Sequence, residues 1–187
     1  MLQFTSQSDF SEIYRIMQAS FSDDEYRPYD EQLALFEEPE YRIYYMPAIG
    51  MERVGNHSIG NFTMHAAGFF AVWEFESFIY IEHFAVDPAL RNSGTGSAML
   101  QELVKQYQKP ICLEVELPED ELTRRRIGFY ERNGFVFNEY PYIQPPISKG
   151  KSPVPLRIMT YGEAITRETF EAMKNVLYRS VYKYGVS

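Results

Sequence analysis

At 187 residues the chain has the length of one domain, or of one domain with an appendage, and is long enough to bury a real core. A hydrophobic content of 45% with a net charge of -8 describes a soluble globular protein; it argues against nucleic acid and membrane as partners and mildly favours a cationic substrate. No apolar run approaches the ~20 residues of a membrane span, the N-terminus lacks the marks of a secretory signal, and the lone Cys112 excludes an intrachain disulfide, so a reducing cytoplasm is the expected compartment.

In chain order, residues 2–5 read as a short first strand. Ser8 is placed as the N-cap of a helix whose apolar face is Phe10, Ile13, Tyr14, Met17 and Phe21. An acidic turn over 22–28 precedes a second short helix over 30–36, and 41–46 is a strand broken at Pro47. The glycine-bearing stretch 49–61 reads as a long loop or distorted hairpin, and the sequon Asn61-Phe62-Thr63 is taken as chance. Residues 66–76 form a strong strand in which Gly68 marks a bulge. The strand over 78–86 is aromatic and β-branched; simple alternation puts Tyr80, Glu82, Phe84 and Val86 on one face and Ile79, Ile81, His83 and Ala85 on the other. Asp87-Pro88 stops it.

Gly94, Thr95, Gly96 and Ser97 then open a helix over 94–107, with Met99, Leu100, Leu103 and Val104 at helical spacing. Bare N–H groups and the positive end of the helix dipole converge there, which makes an anion site. It is not a P-loop, since Gly96 is followed by Ser97-Ala98, and it is not a dinucleotide fingerprint, since Met99 stands where a third glycine is needed. A strand over 111–117 follows and can lie parallel to the 78–86 strand across that helix. Residues 119–133 form a helix capped by Gly134, 135–142 another strand, 144–155 a proline-rich loop and 155–160 a shorter strand. A last helix over 165–184 carries Phe170, Met173, Val176, Leu177 and Val181 on one face.

The pattern R-x-x-G-x-G at 91–96, directly after Ala85-Val86-Asp87-Pro88, resembles the acetyl-CoA loop of the GNAT superfamily of N-acetyltransferases. A second motif, Phe129-Tyr130-Glu131-Arg132-Asn133-Gly134-Phe135, resembles the helix end that members of this family carry, and the order of elements agrees. The resemblance implies an α/β (α+β) fold over 1–160: a central mixed, mostly antiparallel sheet with one parallel, splayed strand pair and helices on both faces. Residues 161–187 lie outside that core, as an amphipathic helix packed on its own domain or at a homodimer contact. Acetyl-CoA is the implied cosubstrate, with no metal. Its pyrophosphate would sit on the amides of Asn92, Ser93, Gly94, Thr95, Gly96 and Ser97, and its pantetheine arm would pair with Phe84, Ala85 and Val86. Arg91 either adds a charge to a phosphate or is a solvated loop arginine.

The resemblance maps Tyr130 onto the tyrosine that hydrogen-bonds or protonates the departing thiolate, a task suited to a phenol that stays protonated at neutral pH. The chemistry also needs a base for the ammonium nucleophile. Glu82 is the first choice, because a carboxylate inside so apolar a strand finds a partner or has its pKa raised. Its strand resembles that of polyamine acetyltransferases, from which His83 departs; His83 is itself a lesser candidate, and Glu114 is the alternative carboxylate. Thr123 stands where family members place a cofactor-binding asparagine, so that role is not carried over. Arg124, Arg125 and Arg126 face the 3′-phosphate, an acidic group on the substrate, or solvent, the last beside Glu119, Asp120 and Glu121. Cys112 has no activating partner, so direct attack on the thioester is expected rather than a covalent intermediate. The implied function is acetyl transfer to a primary amine of a small molecule or peptide; the alternative is a non-catalytic acyl-CoA-binding sensor or interaction module.

Overall fold

Ala66–Glu74 is apolar at almost every position, a sequence that suits only a strand covered on both faces. In the computed structural model, which describes residues 1–48 and 65–185, this segment is β3, near the middle of an eight-stranded sheet. The elements are β1 (Gln3–Phe4), α1 (Phe10–Gln18), α2 (Tyr29–Ala34), β2 (Tyr41–Pro47), β3, β4 (Ile79–Val86), α3 (Thr95–Gln106), β5 (Ile111–Glu116), α4 (Glu121–Arg132), β6 (Phe135–Phe137), β7 (Tyr142–Gln144), β8 (Val154–Tyr161) and α5 (Arg167–Val176). The sheet runs β1-β2-β3-β4-β5-β8-β6, with β7 also paired to β8, and every described pairing is antiparallel except β4 with β5.

Two apolar layers hold it. On one face α1 and α5 bury Phe10, Ile13, Met17, Phe170 and Met173 against Phe69, Trp73, Tyr80 and Ile158. On the other α3 and α4 bury Met99, Leu100, Leu103 and Ile127 against Phe70, Val72, Ile81 and Leu113. The C-terminal segment is therefore part of the first layer. It continues beyond α5 as a π-helical turn, Leu177–Val181, that carries Tyr182 under the sheet.

Two irregularities in β4 shape everything near its end. The parallel ladder with β5 stops at Ile81 opposite Leu113, although β4 continues to Val86 and β5 to Glu116, so the strands splay as the family resemblance implies. Against β3, Ala71 pairs with His83 and Val72 with Ile81, which leaves Glu82 as the extra residue of a β-bulge. The bulge corrects the alternation read from sequence. Tyr80 and Ala85 lie in the α1/α5 layer, whereas Ile79, Ile81, Phe84 and Val86 pack on the α3/α4 layer. Glu82 and His83 both turn toward α1 and its following loop, as their partners Arg27 and Glu25 show.

Other expectations shift in detail. Ser8 is not the cap: it lies inside a 3-10 turn, Gln7–Asp9, that precedes α1. The 135–142 strand divides into β6 and β7. Asn138 between them is buried, with Nδ2 donating to Ile158 O (3.1 Å) and Thr160 Oγ1 (3.0 Å) and Oδ1 accepting from Ile165 N (3.0 Å), while Pro141 has no N–H to offer a ladder. The helix expected from 119 begins at Glu121, because the Asp120 carboxylate accepts from Thr123 N at 2.7 Å. Gly134 takes the left-handed cap position, φ +88°. A register irregularity does accompany Gly68, where a Cβ would meet Ala85 O at 2.5 Å. The 49–61 loop and the Asn61 sequon lie outside the described residues.

Candidate active site

Where β4 ends, Asp87 accepts hydrogen bonds from Ala89 N (2.9 Å) and Arg15 Nη2 (2.6 Å), which fixes the turn into the glycine loop. Asn92 (φ +63°) and Gly94 (φ +83°) are both left-handed, and Gly94 is the N-cap of α3. That backbone path leaves the N–H groups of residues 92–97 without an acceptor among the described residues. A Cβ on Gly96 would stand 3.2 Å from the Phe129 ring and 3.5 Å from the Val86 side chain, so a bare backbone there lets α4 approach the loop. The residues present fit a diphosphate: unpaired donors, a helix N-terminus and no side chain in the way. Arg91 is not a loose solvent arginine. Its Nε donates to Val86 O (3.1 Å) and its Nη2 to Ser20 Oγ (2.8 Å), tying the loop to β4 and to the end of α1.

A cleft of about 500 Å³ runs along this loop and the gap between β4 and β5. Loop residues Asn92, Gly94, Gly96 and Ser97 line it, as do Phe129 and Tyr130 of α4, both carboxylates of β5, and Phe21, Glu25 and Gln144. Tyr130 is buried among Phe84, Phe129 and Phe135, and its hydroxyl has no hydrogen-bond partner among the described residues. Burial, opposed by Arg126, pushes that phenol up to about 12, so it stays protonated at neutral pH.

The two candidate carboxylates differ. Glu114 accepts hydrogen bonds from Tyr182 Oη at 2.9 and 3.1 Å, and Tyr80 Oη lies 2.9 Å from Tyr182 Oη. Since the Tyr182 proton goes to the carboxylate, Tyr80 must donate to Tyr182. Burial pushes Glu114 up to about 7; the hydroxyls of Tyr142, Tyr182 and Tyr80 oppose the shift and the charge of Glu82 adds to it. Glu82 is lowered: its burial is outweighed by Arg27, whose Nη1 donates to Oε1 at 2.7 Å, with a smaller contribution from His83. The sequence left open whether this carboxylate would be raised or paired, and the structure pairs it. His83 donates from Nε2 to Glu25 O at 2.8 Å, its Nδ1 is 3.6 Å from Glu82 Oε2, and burial holds its pKa below the ordinary value.

Comparisons with known proteins bear on this geometry. The profile of the acetyltransferase (GNAT) domain matches residues 57–137. A putative acetyltransferase from the GNAT family of Bacteroides thetaiotaomicron superposes with a TM-score of 0.84 at 30% identity, over 100% of this chain and 99% of that one. The chain belongs to the GNAT family. Putative acetyltransferase YjbC of Bacillus subtilis is 41% identical over 64 residues, which span 33% of this chain and only 33% of that relative's length. A Bacillus subtilis acetyltransferase in complex with CoA shares the GNAT fold, with a TM-score of 0.56 at 14% identity over 87% of this chain and 97% of that one.

Within this GNAT site the remaining sequence candidates separate. Thr123 spends its hydroxyl and its amide on the Asp120 capping box, which leaves it no free group for a cofactor arm. The three arginines diverge: Arg124 binds the carbonyls of Pro118 (3.1 Å) and Glu119 (3.2 Å), Arg125 is exposed, and Arg126 pairs with Glu116 in the cleft wall. Cys112 is buried and its thiol is pushed well up, which removes it as a nucleophile. Sequence reasoning missed Arg27, Tyr182 and Gln144. Arg27 was one charge in an acidic turn, and Tyr182 one tyrosine in a tail beyond the recognised motifs. Only an unpaired charge such as Glu82, asking for a cation, hinted at either.

Proposed function

We propose that the protein transfers an acetyl group from acetyl-CoA to a primary amine of a small molecule or peptide by direct attack. The observation that carries this reading is Glu114: a carboxyl brought to about 7 by burial, in the wall of the splay that opens onto an unpartnered phosphate-type loop. Acetyl-CoA would supply an activated thioester. The loop amides of Asn92, Ser93, Gly94, Thr95, Gly96 and Ser97 would hold its pyrophosphate, and the β4 edge at Phe84 and Ala85 would receive its arm. The Val86 carbonyl already accepts from Arg91, which narrows that edge relative to the sequence expectation.

Glu114 then serves as general base and takes the proton from the ammonium before attack, and Tyr182, with Tyr80 behind it, orients the carboxylate. Tyr130 donates its phenolic proton toward the departing sulfur from the α4 side of the gap. Glu82 acts at one remove: paired with Arg27, which also reaches Val181 O (3.3 Å), it ties the α1–α2 connection and the C-terminal turn to β4. Residues 161–187 are thus read as completing the catalytic domain. Acidic groups in the cleft, Glu25 and Glu114 among them, support an amine that arrives as a cation.

Release of free thiol from acetyl-CoA across a panel of amines tests the proposal. Turnover with at least one amine is expected, and Tyr130→Phe should lower kcat by about 10- to 100-fold with CoA affinity kept. Binding of CoA without thiol release over a broad panel would mark a non-catalytic binding module instead.

A further inference from the structure

Gln144 closes β7 and is only 5% exposed, yet its side-chain Nε2 has no hydrogen-bond partner among the described residues. It is part of the cleft wall, alongside Leu156 and Glu116. An unpaired buried amide costs about 1–3 kcal/mol, so a fold that keeps one has a use for it or carries a defect. The strand holds the side chain there. Tyr142 pairs with Leu156 and Gln144 with Val154, while Ile143 between them points outward and is 54% exposed. Tyr178 Oη donates to Ile143 O at 2.6 Å and clamps the strand. Alternation then puts Tyr142 and Gln144 together on the inner face.

We propose that Gln144 recognises a second polar group on the acceptor, and that the acceptor is an extended amine carrying a neutral hydroxyl or carboxamide at the end remote from the reacting nitrogen. The proposal rests on the transfer reading above and adds the substrate class to it. Its extended character follows from register. Glu114 pairs with Ile158 and Gln144 with Val154, which places the two roughly 13 Å apart along β8 at about 3.3 Å per residue. One small polar carbon cannot meet both. The group must accept a hydrogen bond, because Nε2 is the orphaned atom, which excludes an ammonium; it is neutral because Glu114 and Glu116 line the same cleft and repel a carboxylate.

The test compares aminohexanol and aminohexanamide with hexylamine, in the wild-type protein and in Gln144→Met. The wild type should favour the polar-ended amines by about tenfold in kcat/KM, through KM, and the variant should lose that preference. The variant should also melt at a higher temperature, because an unpaired amide has been replaced by an apolar side chain of similar length. No preference in the wild type, or an equal one in the variant, overturns the proposal. So does a variant less stable than the wild type, which would mean that the amide is satisfied within the fold. Calorimetric binding of the same amines to CoA-loaded protein reads the same preference without turnover, so failure of the transfer reading and failure of this one are told apart.

Discussion

Glu82 and Glu114 line the same cleft, and their pKa values shift in opposite directions because only one has a cation. Glu82 answers to Arg27, and neither side chain is more than 6% exposed. Glu82→Gln would strand the guanidinium, so a loss of about 3–5 kcal/mol at neutral pH is expected from denaturant melts. The sign follows from the depressed pKa: the pair's contribution is present above the ordinary carboxylate range and disappears as pH falls through Glu82's own lower value, so the two proteins should converge in acid. A gap that persisted unchanged in acid would contradict the pairing. Glu114 answers only to hydroxyls. Tyr182→Phe removes its nearest donor, which favours the ionised form, so the inflection in the pH profile of kcat/KM should move upward while folding is retained. An inflection that stayed in place would show Tyr182 to be packing alone. Little of this was legible beforehand. A carboxylate inside an apolar strand announces that it needs an answer, but its partner lay 55 residues away in a segment with no periodicity.

At the scale of elements, the site is made by what β4 fails to do. It leaves its parallel partner after Ile81 and inserts Glu82 as an extra residue against β3, so Glu82 and His83 reach one layer while Phe84 and Val86 reach the other. Strand alternation read from sequence has no means of seeing a bulge, and that is why the faces were assigned wrongly beyond Glu82. The glycine loop, by contrast, was legible, since a strand stop, a left-handed cap and a helix start are local chemistry. Gly68 is the other local device. It lets the Ala85 carbonyl pass within reach of β3 at the point where β4 begins to turn away. Gly68→Ala would force backbone against backbone, with an expected cost of about 1–3 kcal/mol in thermal or urea unfolding. A neutral Gly68→Ala would mean that the two strands are free to move apart there.

Taken whole, the molecule joins a recognised core to a tail that the motifs did not cover. The order of strands and helices was legible to about Thr160 because each element carries its own period, cap or breaker. The tail showed an apolar face but no address. Its destination depends on Tyr182 fitting under β5 and on the Arg27 bond to Val181 O, contacts that span 68 and 154 residues of sequence. No described helix is long and apolar enough to cross a membrane. Everything converges on a carboxyl poised near neutrality, and the most direct test is the pH dependence of kcat/KM for acetyl transfer in the wild type and in Glu114→Gln. The account predicts a wild-type rate that rises with pH through an inflection near 7, and a Gln variant reduced by about 10²- to 10⁴-fold in which that inflection is gone. A variant that kept both the rate and the inflection would place the base elsewhere.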